Sequence, residues 1–107
     1  MLTIEKDIET YLTEQVKKLK GKCIKIPTVY EEGLPDRLVL LPGARMAFAE
    51  LKRPKGGRLS DSQIYQHKIL RRLGFKVYVP RTKEEVEVML REVRTAQLPD
   101  IRDQEDT

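Results

Sequence analysis

Two short apolar runs, Arg37-Leu38-Val39-Leu40-Leu41 and residues 46–52, flank the dipeptide Pro42-Gly43, and both are bordered by acids. Runs this short, interrupted by Pro and Gly, read as neighbouring strands joined by a tight turn. Strand side chains alternate between faces, so Glu50 and Lys52 share one side and Leu51 takes the other. Thirteen residues separate Asp36 from Glu50. If the two strands pair as a hairpin, Asp36, Glu50 and Lys52 meet at one spot.

The rest of the chain reads as helices and strands around that hairpin. Residues 3–20 carry Ile4, Ile8, Tyr11, Leu12, Val16 and Leu19 at the helical period, and Gly21 closes the helix. Residues 23–26 alternate as a short strand, and 27–35 form a loop rich in turn formers. Ser60-Asp61-Ser62-Gln63 has the form of a capping box opening a helix that runs to about Leu73, with Gly74 at its end. Residues 75–79 alternate as a fourth strand. Thr82-Lys83-Glu84-Glu85 reads as a second capping box, and its helix buries Val86, Met89, Leu90 and Val93.

The order is α-β-β-β-α-β-α. The helix from Ser60 works as a crossover, so the fourth strand can lie parallel to a neighbour. The fold class is therefore α/β, a small mixed sheet flanked by helices. The run Arg37–Leu41 is apolar enough to be covered on both faces. Residues 1–94 form one domain, and 95–107 are expected to be a flexible acidic tail.

The 107 residues carry a formal charge of +4, but Asp100, Asp103, Glu105 and Asp106 against Arg102 give residues 95–107 a net −3. The first 94 residues are therefore +7, which suits a polyanionic partner. No apolar stretch is long enough to span a membrane. The first twenty residues are amphipathic and carry acids, unlike a signal peptide. Cys23 is the only cysteine and has no partner for a disulfide. The expected compartment is the cytosol.

Two carboxylates beside an ammonium are suited to a hard divalent cation. Asp36 and Glu50 would hold Mg²⁺ or Mn²⁺, and the Leu51 carbonyl is a further candidate ligand. Lys52 would hold the attacking water or stabilise charge on a phosphodiester in transition. An apolar surround from Leu38, Val39, Phe48 and Ala49 would exclude competing water. The loop with Arg53, Lys55 and Arg58 around Gly56-Gly57 suits phosphate contact, and Ser60 follows it as a further DNA-binding candidate. It is not a P-loop, because the glycine spacing and the Lys-Ser/Thr ending are absent. Lys68, Arg71 and Arg72 could extend the basic track, or simply be a solvated helix face. Gln66 and His67 are further candidates for DNA contact.

The series Gly33-Leu34-Pro35-Asp36-Arg37-Leu38-Val39-Leu40-Leu41-Pro42-Gly43, then Ala49-Glu50-Leu51-Lys52, then Gly56-Gly57-Arg58-Leu59-Ser60 with Gln63, resembles the VRR-NUC family of the PD-(D/E)xK nuclease superfamily. The similarity covers residues 4–93. It implies a restriction-endonuclease-like core, dependence on Mg²⁺ or Mn²⁺, and cleavage of branched DNA such as Holliday junctions. Small stand-alone members, often phage-encoded, imply a homodimer acting in the host cytosol. The superfamily often adds a Glu from the first helix, where Glu9 is preferred over Glu5. Gln63 falls on a family position that could orient water or touch the scissile phosphate. Two other readings stay open: a nuclease for flaps, nicks or single strands, and a DNA-binding module without catalysis.

Overall fold

The computed structural model describes residues 4–27 and 29–97, so most of the expected acidic tail lies outside the described residues. The elements are α1 (Glu5–Lys18), β1 (Lys22–Lys25), β2 (Arg37–Leu41), β3 (Arg45–Ala49), α2 (Asp61–Arg72), β4 (Val77–Tyr78) and α3 (Lys83–Thr95). Their order is the one the sequence predicts. The strands form one sheet in the order β1-β2-β3-β4. The first three run antiparallel, with Leu38 opposite Phe48, and β4 lies parallel to β3, with Ala49 opposite Tyr78. The turn between β2 and β3 uses Gly43 at φ +82°, a backbone region open to glycine at little cost.

One face of the sheet carries the core. Val39, Leu41, Ala47, Ala49 and Leu51 meet Ile8, Leu12 and Val16 of α1 and Val86, Met89, Leu90 and Val93 of α3. The helical period explains both helices, because each presents one apolar stripe to the sheet. Leu12 is 0% exposed, so truncating it to Ala should cost about 2–5 kcal/mol.

The other face differs from expectation. Leu38, Leu40, Met46 and Phe48 are only half-buried, so β2 is not fully covered on both sides. The helix on that side, α2, has just two buried residues, and they are Gln66 and His67. Its apolar residues Ile64 and Tyr65, with the following Leu73 and Phe75, are exposed. At the other end of β2, Arg37 takes a core-face position at 6% exposure, made tolerable by an ion pair to Glu9 on α1.

Two strand boundaries also shift. The third strand ends at Ala49, and the Glu50 N–H turns to the Tyr78 carbonyl at 2.8 Å. The fourth strand shrinks to two residues, because its pairing reaches only to the end of β3. The capping box at α2 forms as expected: Ser60 Oγ accepts from the Gln63 N–H, and Gln63 Oε1 accepts from the Ser60 N–H. At α3 only half of it forms. Thr82 Oγ1 caps the Glu85 N–H, but Glu85 Oε1 accepts from the Arg81 N–H at 2.7 Å.

Candidate active site

Asp36 arrives at the site from a loop that α2 holds in place. Gly33 adopts φ +90° against the Ser62 backbone, where an added Cβ would collide with the Ser62 carbonyl. Gln66 Nε2 donates to Glu31 Oε1 at 3.0 Å, fastening the same loop to the middle of α2. The Ile26 N–H donates to the Asp36 carbonyl at 2.8 Å, which fixes the backbone where the loop enters β2. The Gly-Leu-Pro-Asp segment is thus shaped by close approach to a helix, and Asp36 is its product.

Glu50 comes from the end of β3 and is 4% exposed. Leu51 buries its side chain in the core while its N–H donates to both oxygens of Asp36, at 3.3 and 3.4 Å. The alternation therefore works as the sequence predicts: Leu51 points into the core and its neighbours point away. Lys52 Nζ lies 3.9 Å from Glu50 Oε2, and His67 Nε2 lies 3.8 Å from Glu50 Oε1. Asp36, Glu50 and Lys52 converge as the hairpin demands.

The two acids strain each other. Burial pushes the Asp36 carboxyl up to about 7, and the Glu50 charge adds to the shift, while Arg37 and the Leu51 N–H oppose it. Two carboxylates this close in a poorly hydrated place cannot both ionise cheaply. Glu50 Oε1 and both His67 ring nitrogens are buried without a hydrogen-bond partner. A divalent cation would relieve the repulsion between the acids. The donors are carboxylate oxygens, which hard ions such as Mg²⁺ and Mn²⁺ prefer. Among the described residues no three His, Cys, Asp or Glu cluster closely enough to hold a metal alone. Two carboxylates completed by water and phosphate oxygens fit Mg²⁺ chemistry without a third such ligand.

The first-helix acids divide. Glu9 Oε1 lies 2.9 Å from Arg37 Nη2, so it is held by a buried cation. Glu5 instead lines a polar pocket of about 250 Å³ with Lys52, Arg53, Gly56, Gly57 and Arg58. That pocket brings two cations of the basic loop to the edge of the acidic pair. Lys55 is exposed on the same loop, and Ser60 and Gln63 are engaged with each other in the α2 cap. Arg71 donates to the Val77 carbonyl at 2.8 Å, whereas Lys68 and Arg72 are exposed.

Two contributors leave little trace in the sequence. Arg81 donates to the carbonyls of Arg53 and Gly57, clamping the basic loop. Arg37 supports Asp36 by donating to its carbonyl at 3.0 Å. The one available signal for Arg37 is a charged residue opening an otherwise apolar strand.

No family model matches the chain. A curated protein from Acyrthosiphon pisum secondary endosymbiont phage 1, named "Putative nuclease p44", is 37% identical over 75 residues, covering 70% of this chain and 80% of the relative. A solved structure described as "VRR_NUC domain" superposes with a TM-score of 0.74 at 25% identity, covering 87% of this chain and 97% of that one. None of the described helices is long and apolar enough to cross a membrane. The hairpin that joins Asp36 to Glu50 and Lys52, the loop shaped against α2 and these two likenesses agree: the chain belongs to the VRR-NUC family.

Proposed function

We propose that this protein is a divalent-metal-dependent endodeoxyribonuclease that cuts branched DNA, with four-way junctions as the preferred substrate. The observation that carries the reading is the meeting of Asp36, Glu50 and Lys52 at one end of the sheet, with Glu50 and Lys52 3.9 Å apart. Asp36 and Glu50 would hold Mg²⁺ or Mn²⁺, with the Leu51 carbonyl, water and phosphate oxygens completing the set; of the first-helix acids, Glu5 lines the pocket beside Lys52 and Glu9 is held by Arg37. When bound, such an ion would lower the pKa of a coordinated water and offset charge on the scissile phosphate. Lys52 stabilises the developing negative charge. Arg53, Lys55 and Arg58 grip the flanking backbone, Ser60 adds a contact beside them, and Gln63 orients water or phosphate with the part of its amide that the helix cap leaves free. These contacts read charge and shape, not base edges, which suits a junction.

Paired cuts in a junction need two sites, so the protein acts as a C₂ homodimer in the cytosol, that of the host if the chain is phage-encoded. The apolar stripe of α1 is consumed in the core, with Ile8, Leu12 and Val16 at 0–1% exposure. The exposed Tyr65 and Leu73 support the α2 side as the contact instead. An antiparallel pairing of two α2 helices sets Asp61 of one copy against Arg71 and Arg72 of the other. Cleavage of junction, flap, nicked and linear duplexes with Mg²⁺ or Mn²⁺, beside Asp36→Ala and Lys52→Ala, tests the reading. The wild type should prefer junctions, and both variants should fail to cut them. Equal cleavage by wild type and variants would overturn catalysis, and a flap or single-strand preference would reassign the substrate.

A further inference from the structure

His67 is the most thoroughly enclosed polar side chain of α2. It is 1% exposed, and neither ring nitrogen has a hydrogen-bond partner. Leaving a buried polar group unpaired costs about 1–3 kcal/mol, so a plain core position would favour Leu or Met. The helix makes the oddity sharper, because Ile64 and Tyr65 are exposed while Gln66 and His67 face inward. Gln66 has an evident task in holding Glu31. Among the described residues the acid paired with His67 is Glu50, whose Oε1 is also buried and unpartnered, 3.8 Å from Nε2.

We propose that His67 is a positioning residue that fixes the rotamer of Glu50 by donating its Nε2–H to Oε1. The proposal rests on the metal-dependent reading of the site. A hydrogen bond needs about 2.7–3.2 Å, so a small rotation of either side chain closes the gap. That bond would occupy Oε1 and leave Oε2, the oxygen beside Lys52, free for the ion. Carboxylate ligands generally depend on such outer hydrogen bonds, whose loss costs about 10–100-fold in metal affinity. The consecutive residues Gln66 and His67 thereby govern both acids, one through the loop that delivers Asp36 and one through Glu50 itself.

The test is Mn²⁺ binding to the full chain, read by electron paramagnetic resonance of the free ion, with thermal unfolding alongside. His67→Gln places an amide N–H near the position of Nε2 and should keep affinity close to wild type. His67→Asn is too short to reach Glu50, and His67→Leu has no donor. Both should weaken Mn²⁺ about 10–100-fold, with His67→Leu at least as heat-stable as wild type. Unchanged affinity in His67→Leu, or equal affinity in the Gln and Asn variants, overturns the proposal and leaves the nuclease reading standing. The Gln–Asn comparison decides the matter if the Leu variant does not fold. Absence of Mn²⁺ binding by the wild type ends both claims.

Discussion

The backbone N–H of Leu51 donates to both carboxylate oxygens of Asp36, at 3.3 and 3.4 Å. The loop acid is thereby tied to the residue between Glu50 and Lys52, and the spacing of the three functional groups becomes a property of the backbone. Asp36→Asn keeps an oxygen to accept that bond but loses the charge. It should fold as well as wild type and lose cleavage by about a hundredfold or more, a loss on the scale of removing one transition-state donor. Near-normal cleavage by Asp36→Asn, measured on a junction substrate, would remove Asp36 from the reaction.

Stability should depend on pH through the same acid. Asp36 titrates near 3.8 when free and near 7 in the metal-free fold, raised chiefly by burial. The folded state then binds the proton more tightly than the unfolded state. Its contribution is fully present below the unfolded value and is lost as pH rises through about 7. In EDTA the melting temperature of wild type should fall between about pH 4 and pH 7 relative to Asp36→Asn. Adding Mn²⁺ should flatten the difference. Parallel pH profiles for the two proteins in EDTA contradict the assignment.

Glu9 and Glu5 are separable by experiment. Glu9 is paired to the buried Arg37, so Glu9→Ala leaves an enclosed cation short of its partner and should cost about 1–3 kcal/mol of stability. Glu5 lines the pocket with Lys52 and is exposed, so Glu5→Ala should leave the melting temperature unchanged. Manganese titration of both variants then identifies which acid serves the ion. If Glu9→Ala melts like wild type, the Arg37 pair contributes nothing to the fold.

Arg53, Lys55 and Arg58 should act on DNA as point charges. Replacing each by Gln should weaken binding to junctions of different sequence alike. It should also lower the slope of log affinity against log salt by about 1 for every phosphate no longer neutralised. Fluorescence anisotropy across a salt series measures it. An unchanged slope in the triple variant places the DNA track elsewhere.

The α2 side is predicted to join two copies. Tyr65→Glu with Leu73→Glu puts charge on side chains that are 64% and 67% exposed, so the fold should be unaffected. Light scattering should report a dimer for wild type and a monomer for the variant. A monomeric wild type, or a variant that still pairs, excludes this surface.

Much of the architecture is legible in the sequence because it is local. Ile8, Leu12 and Val16 announce α1 by period, Ser60 and Gln63 announce the start of α2, and Pro42-Gly43 announces the hairpin. The convergence of Asp36 with Glu50 and Lys52 follows from that hairpin and the alternation around Leu51. What escapes depends on long-range choices. Nothing near Glu50 says that the segment carrying Tyr78 will lie beside it and take its N–H, continuing the bond that Phe48 makes to Lys76. Nothing near Arg37 says that a helix acid will make its burial tolerable. The half-covered second face reflects where α2 settles, and a strand's own letters do not encode its neighbours. In the sequence His67 is one more helix polar group, because its enclosure exists only after the sheet has formed.

Arg81 joins the segment after β4 to the carbonyls of Arg53 and Gly57. The curvature of the glycine-bearing stretch is consequently dictated from a point more than twenty positions downstream in the chain. If that stretch grips DNA as proposed, a lineage could retune the contours it accommodates by altering the strut, without touching any group that meets the substrate.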